Sequence, residues 1–204
     1  MNNNPPKPDT MKTRLKYLTY ALIATATITA CVGADKDPVT PSTPAPVNEE
    51  ELITTLQLHI HSANDVEHKH FIFRDVDGAG GNAPVITADT LSHDSIYHVE
   101  VVVLNESASP AEDITAEINA ESDVHQFFFQ VSGANATVTY ADADANGNPI
   151  GLETDWTIGA ASNGTLVVTL RHQPDKTAAG VSSGDITNAG GETDIEVTFP
   201  FVVE

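Results

Sequence analysis

An antiparallel β-sandwich is the fold this sequence predicts, and three observations point to it. From Leu52 onward, short runs rich in Val, Ile, Thr and Phe alternate apolar with polar residues, the two-residue period of a half-buried strand. The runs are separated by Gly, Asn, Asp and Pro, which punctuate strands rather than helices. No long segment carries the 3.6-residue periodicity of an amphipathic helix.

In chain order, the first element predicted is an export signal over residues 1–30. Lys12, Arg14 and Lys16 precede an apolar stretch, Tyr17–Ala30, that is too short for a comfortable membrane span. It ends Ile28-Thr29-Ala30-Cys31, which resembles the bacterial lipobox, in which the cysteine is acylated and becomes the new N-terminus. Lipidation of Cys31 would also account for a lone cysteine in an exported chain. Residues 31–48 follow as a tether: Pro38, Pro41, Pro44 and Pro46 block helix, remove ladder donors and favour a semi-extended linker.

Residues 49–204 are then one folded domain. Strand candidates are 52–61, 66–74, 97–104, 124–131, 136–140, 152–158, 164–171 and 193–203, with one short helical turn over 111–121. About eight strands in this length predict an all-β domain, a single sandwich of immunoglobulin-like kind, with a barrel as the second option.

Charge narrows the partners. The formal net charge is -20, so a basic face for phosphate backbones is excluded and no nucleic-acid partner is expected. Residues 1–30 hold four of nine Lys/Arg and one of 29 acids, so the exported part carries five against 28, a net -23. Such a surface attracts cations.

Several segments resemble a poorly characterised group of small envelope lipoproteins of the Bacteroidota. They are Arg74–Pro84 (RDVDGAGGNAP), Leu104–Ile114 (LNESASPAEDI), His125–Phe129 (HQFFF), Asp144–Gly151 (DANGNPIG), Leu170–Pro174 (LRHQP) and Ala189–Asp194 (AGGETD). Some members of that group are labelled as having a type 1 periplasmic-binding fold, a large two-lobed α/β architecture that this short, strand-rich chain does not match. The resemblance implies an outer-membrane lipid anchor, facing the periplasm or the outside, and carries over no site residues.

The most specific local feature is His59-Ile-His61-Ser-Ala-Asn-Asp-Val-Glu-His68-Lys-His70. With Asn64-Asp65 as a two-residue turn, His61 faces His68 and His59 faces His70. The same register pairs Leu58 with Phe71 and Leu56 with Phe73 on the opposite face, and register is set by the buried side. Cross-strand Cβ atoms lie about 4.5–5.5 Å apart. The four imidazoles His59, His61, His68 and His70 are therefore a candidate site for Zn²⁺ or Cu²⁺, with Ni²⁺ also suited. Neutral imidazole is the ligand, so affinity is expected to fall below about pH 6. The alternative is a solvated, histidine-rich strand face. His93, His98, His125 and His172 are scattered and read as surface or hydrogen-bonded residues.

A second candidate is the segment Asp142 to Glu153. Asp142, Asp144, Asn146, Asn148 and Glu153 fit the calcium-loop pattern, with Gly147 for the bend. Asn146-Gly147 is equally a hairpin turn. Asp75-Val-Asp77-Gly78 is another acidic turn, without a final Glu at the required spacing.

No nucleophile elbow, zinc-protease helix, P-loop or dinucleotide fingerprint occurs, so no enzyme is expected. The predicted function is a binding lipoprotein that captures a transition metal or a metal-bearing ligand at the histidine hairpin and is accessory to an outer-membrane transporter. The other readings are a structural or surface-interaction module stapled by calcium at most, and a metal-dependent enzyme, which needs an open coordination position beside a pocket.

Overall fold

The computed structural model of the chain describes residues 51–78 and 80–204. The predicted signal, the predicted acylation at Cys31 and the predicted tether lie outside the described residues. The described chain folds as two antiparallel sheets packed face to face. The elements are β1 (Thr55–Ser62), β2 (His68–Arg74), β3 (Val85–Ala88), β4 (Ile96–Asn105), β5 (Glu112–Asp113), α1 (Ile114–Ala120), β6 (His125–Ser132), β7 (Ala136–Tyr140), β8 (Glu153–Ile158), β9 (Ser162–His172) and β10 (Glu192–Val203). One sheet has seven strands in the order β3-β2-β1-β4-β8-β7, with β5 paired to β4. The other has three, β10-β9-β6.

All eight strands expected from the sequence are present, and the helical turn is α1. Its start is set by Asp113, whose carboxylate accepts the Ala116 N–H, and Ile114 and Ile118, four apart, are its buried face. β3 and β5 are additional. Both are short edge additions, and the exposed Val85 and Ile86 of β3 supply no inward-facing period to read.

The core lies between the sheets. Alternation sends Leu56, Leu58 and Ile60 of β1, Phe71 of β2 and Val99, Val101 and Val103 of β4 inward. They meet Leu166, Val168 and Leu170 of β9 and Val197, Phe199 and Phe201 of β10. Trp156 sits at the centre, with ring centroids 5.6 Å from Phe201, 6.1 Å from Phe71 and 6.5 Å from Phe129. The same alternation turns every other residue of β1, β2, β4 and β8 to the outer face, which places the histidines. Among the described residues no helix is long and apolar enough to cross a membrane.

Candidate metal centre

The β1–β2 hairpin has the register expected: His61 opposite His68, His59 opposite His70, Leu58 opposite Phe71 and Leu56 opposite Phe73. The loop is longer than two residues, closing with the Ser62 N–H donated to the Glu67 carbonyl at 3.0 Å. Asp65 at its tip adopts the left-handed conformation, φ 55°, which Asp tolerates. The tip is held to the sheet through Glu67. Tyr97 donates to its carboxylate at 2.6 Å and Ser92 Oγ at 2.9 Å, and these bonds, Tyr97's first, hold its pKa below the ordinary carboxylate range.

The four histidines expected as one site divide into two cross-strand pairs, because successive outward residues on a strand stand two positions apart. His61 and His68 bring their Nδ1 atoms to 2.8 Å. Asp65 Oδ1 lies 3.8 Å from His61 Nδ1 and 3.5 Å from His68 Nε2. One ligand atom from each of these three residues falls within 4.8 Å of the others, a geometry able to hold a metal ion. His59 and His70 form the neighbouring pair, ring centroids 5.1 Å apart and edge-to-face. Burial and the nearby His70 lower the His59 pKa, while Glu100 opposes them. A depressed pKa keeps an imidazole in the neutral, metal-competent form to lower pH.

The pairing of β1 with β4 extends both rows, and the hairpin alone could not reveal this. His61 lies opposite His98, and His98 opposite Asp155. His59 lies opposite Glu100, and Glu100 opposite Glu153. The outer face thus carries one row of His68, His61, His98 and Asp155 beside a second of His70, His59, Glu100 and Glu153. His98 Nδ1 is 2.9 Å from Asp155 Oδ1. With Nδ1 donating, the Nε2 lone pair remains for a metal, the carboxylate–histidine arrangement that orients ligands in metal sites. His98 joins the row through a non-local strand pairing that local pattern does not reveal, whereas Asp65 sits inside the hairpin segment itself, where turn chemistry alone accounts for it.

The segment from Asp142 to Glu153 does not assemble the calcium ligand set expected of it. The Asp142 carboxylate accepts backbone N–H bonds from Gly151 and Leu152 at 2.7 Å, Glu153 at 3.0 Å and Ile150 at 3.4 Å. Asp144 accepts from the Asn146 and Asn148 amides at 2.8 and 3.0 Å, and from the Lys176 ammonium at 3.1 Å. Lys176 Nζ also donates to the Ser122 and Pro149 carbonyls. A lysine therefore supplies the positive charge that this loop could have drawn from a cation. Glu153 lies on the outer face opposite Glu100 in the β4–β8 ladder. Burial would raise the Asp144 pKa, but the amides and Lys176 prevail and hold it low. In the other acidic turn, Asp75 accepts the Gly78 N–H and Asp77 both nitrogens of Asn82.

Asp142→Ala is expected to destabilise the fold by about 2–3 kcal/mol in urea melts. It removes the acceptor of four amides, and an orphaned buried donor costs about 1–3 kcal/mol, reduced here because Asp142 is only half-buried and water reaches part of the loop.

An open groove of about 650 Å³ runs between α1 and the outer edge of β4 and β8, lined in part by Glu100, Thr115, Asn119, Asp142 and Glu153. It borders the acidic end of the second row.

No protein-family model matches the chain, and neither the curated proteins nor the solved structures contain a match to it.

Proposed function

We propose that this protein is a lipid-anchored envelope protein that captures a divalent transition metal, Zn²⁺ or Cu²⁺, on the outer face of its seven-stranded sheet. The observation that carries the reading is the convergence of His61, His68 and Asp65, with His98 in the same row and oriented by Asp155. The lipobox at Cys31 and the proline-rich tether support the location, as does the resemblance to Bacteroidota envelope lipoproteins. The acidic surface favours cations generally, and the imidazoles select among them, since nitrogen ligands suit Zn²⁺ and Cu²⁺ over Ca²⁺ and Mg²⁺.

The site is solvated and lies on an open strand face, so bound metal can exchange by stepwise ligand replacement. That suits capture and release to an outer-membrane transporter better than catalysis, which needs a pocket around an open coordination position. The protein acts without chemistry of its own.

Calorimetric titration of the chain carrying Cys31→Ser, which removes the competing thiol, tests the reading. His61→Gln with His68→Gln is expected to weaken Zn²⁺ binding at this face by at least about a hundredfold, since loss of even an outer-shell partner costs about 10–100-fold. Binding by the parent is expected to weaken between about pH 7.5 and about pH 5.5 as protons compete for the ring nitrogens. Equal Zn²⁺ affinity in the double variant would remove the site.

A further inference from the structure

The three-stranded sheet carries a second histidine pair, and unlike the first it is buried. His125 opens β6 and His172 closes β9, directly opposite each other, with ring centroids 4.6 Å apart. His125 is fully buried and His172 is 3% exposed. β10 contributes Asp194 from a break in register: Thr193 pairs with Arg171 and Ile195 with Leu170, so Asp194 is the extra residue of a β-bulge. Bulges re-aim side chains, and here the Asp194 carboxylate is turned into the protein with 1% of its side chain exposed. Glu51, just before β1, reaches the same place and is 11% exposed.

We propose that His125, His172, Asp194 and Glu51 form an interior site for one divalent transition metal of the Zn²⁺ or Co²⁺ class, distinct from the outer-face site. Glu51 Oε1 lies 3.4 Å and Asp194 Oδ2 3.9 Å from His125 Nε2, and Asp194 Oδ1 lies 3.9 Å from His172 Nδ1. His125 belongs to two ligand-spaced groups, one with His172 and Asp194 and one with Glu51 and Glu121. Four ligands about 2.0–2.1 Å from a tetrahedral ion stand about 3.3 Å from one another, so an ion at His125 Nε2 would draw Glu51 toward Asp194 and His172.

The orientation of His125 points to a ligand. Its Nδ1 is 3.2 Å from the Glu121 backbone carbonyl, which fixes Nδ1 as the donor and aims the Nε2 lone pair into the cluster. Among the described residues that buried Nε2 has no hydrogen-bond partner, and neither has the buried Glu51 Oε2. A buried polar atom without a partner is costly, and two carboxylates sharing a buried space are costlier. Two neutral imidazoles, two carboxylates and one divalent ion make a neutral set. Nitrogen donors favour a transition metal over calcium or magnesium.

Access is from the side of Glu121. This exposed carboxylate forms a ligand-spaced group with Glu51 and His125. The fold is shaped locally around the pair: a side chain at Gly191, φ +69°, would place Cβ within 2.2 Å of the His172 carbonyl oxygen, so the β9–β10 connection closes onto His172 only through glycine. Metal here would tie Glu51, ahead of β1, to all three strands of the second sheet. It is a structural lock where the outer face is an exchange site.

The test uses the full chain with Cys31→Ser and with His59, His61, His68, His70, His93 and His98 all replaced by Gln, so that His125 and His172 are the only histidines left. Co²⁺ titration is expected to give about one equivalent with the intense visible absorption of four-coordinate Co²⁺, and Zn²⁺ is expected to raise Tm. Glu51→Gln in that background lies outside every strand and leaves the fold intact by circular dichroism. It is expected to weaken Co²⁺ binding by about tenfold or more and to change the absorption band. His125→Gln is expected to abolish the band. No visible absorption and an unchanged Tm in the surface-stripped chain would overturn the proposal and leave the cluster a proton-bridged histidine–carboxylate network. Unaltered Co²⁺ affinity and spectrum in Glu51→Gln would overturn the assigned ligand set.

Discussion

Lys176→Met is expected to destabilise the protein by about 3–5 kcal/mol, the range for breaking a buried ion pair by removing one partner. Lys176 is 5% exposed and its ammonium binds three oxygens: Asp144 Oδ2 and the Ser122 and Pro149 carbonyls. Methionine fills the stem's space but leaves the Asp144 carboxylate buried against two unsatisfied carbonyls. Urea denaturation followed by tryptophan fluorescence measures the loss. Asp144→Asn added to Lys176→Met is expected to recover part of it, because the uncompensated charge goes. Two single-variant costs that simply added in the double variant would refute the pair as the source. The pH dependence has a definite sign. The folded-state pKa of Asp144 is depressed, so its stabilisation is present above the ordinary carboxylate range and is lost as pH falls through the lowered value. The parent should therefore lose more stability on acidification than the double variant does.

Trp156→Ala is expected to cost a similar amount, about 3–5 kcal/mol, through lost burial and the cavity left behind. The indole is fully buried among Phe71, Phe129 and Phe201, and its Nε1 donates to Thr154 Oγ1 at 2.9 Å. Trp156→Phe should cost much less, because most of the volume stays and only the indole bond to Thr154 is lost. The alanine variant also bears on the outer face. Asp155, the residue before Trp156, orients His98, and β8 is pinned to β4 from the inside by this ring. Chemical denaturation gives the stability, and the Zn²⁺ affinity of the variant at a temperature where it remains folded reads the looser sheet. A melt unchanged from the parent would contradict the central role given to this ring.

The sequence was most informative where structure is local. The β1–β2 register followed from two coincident patterns, Leu56 and Leu58 meeting Phe73 and Phe71 on one face and histidines meeting on the other. It failed where geometry is non-local. His125 and His172 are far apart in the chain and become neighbours only through the β6–β9 ladder. Asp194 reaches them only because a bulge breaks the alternation that placed the other strand residues. His98 joined the first row through the β1–β4 pairing. The Asp142–Glu153 pattern meets a different limit. A consensus counts oxygen donors but not which donors the fold has already engaged, and here backbone amides and Lys176 take the two leading carboxylates.

That lysine has a consequence for how the loop responds to the ions around it. A loop organised around a mineral ion is only as firm as the supply of that ion, and it softens when chelators or dilution strip the medium. The ammonium of Lys176 is covalently part of the chain and cannot wash out. The turn between β7 and β8 should keep its shape whether divalent ions are scarce or plentiful. A change in metal supply then leaves this turn in place.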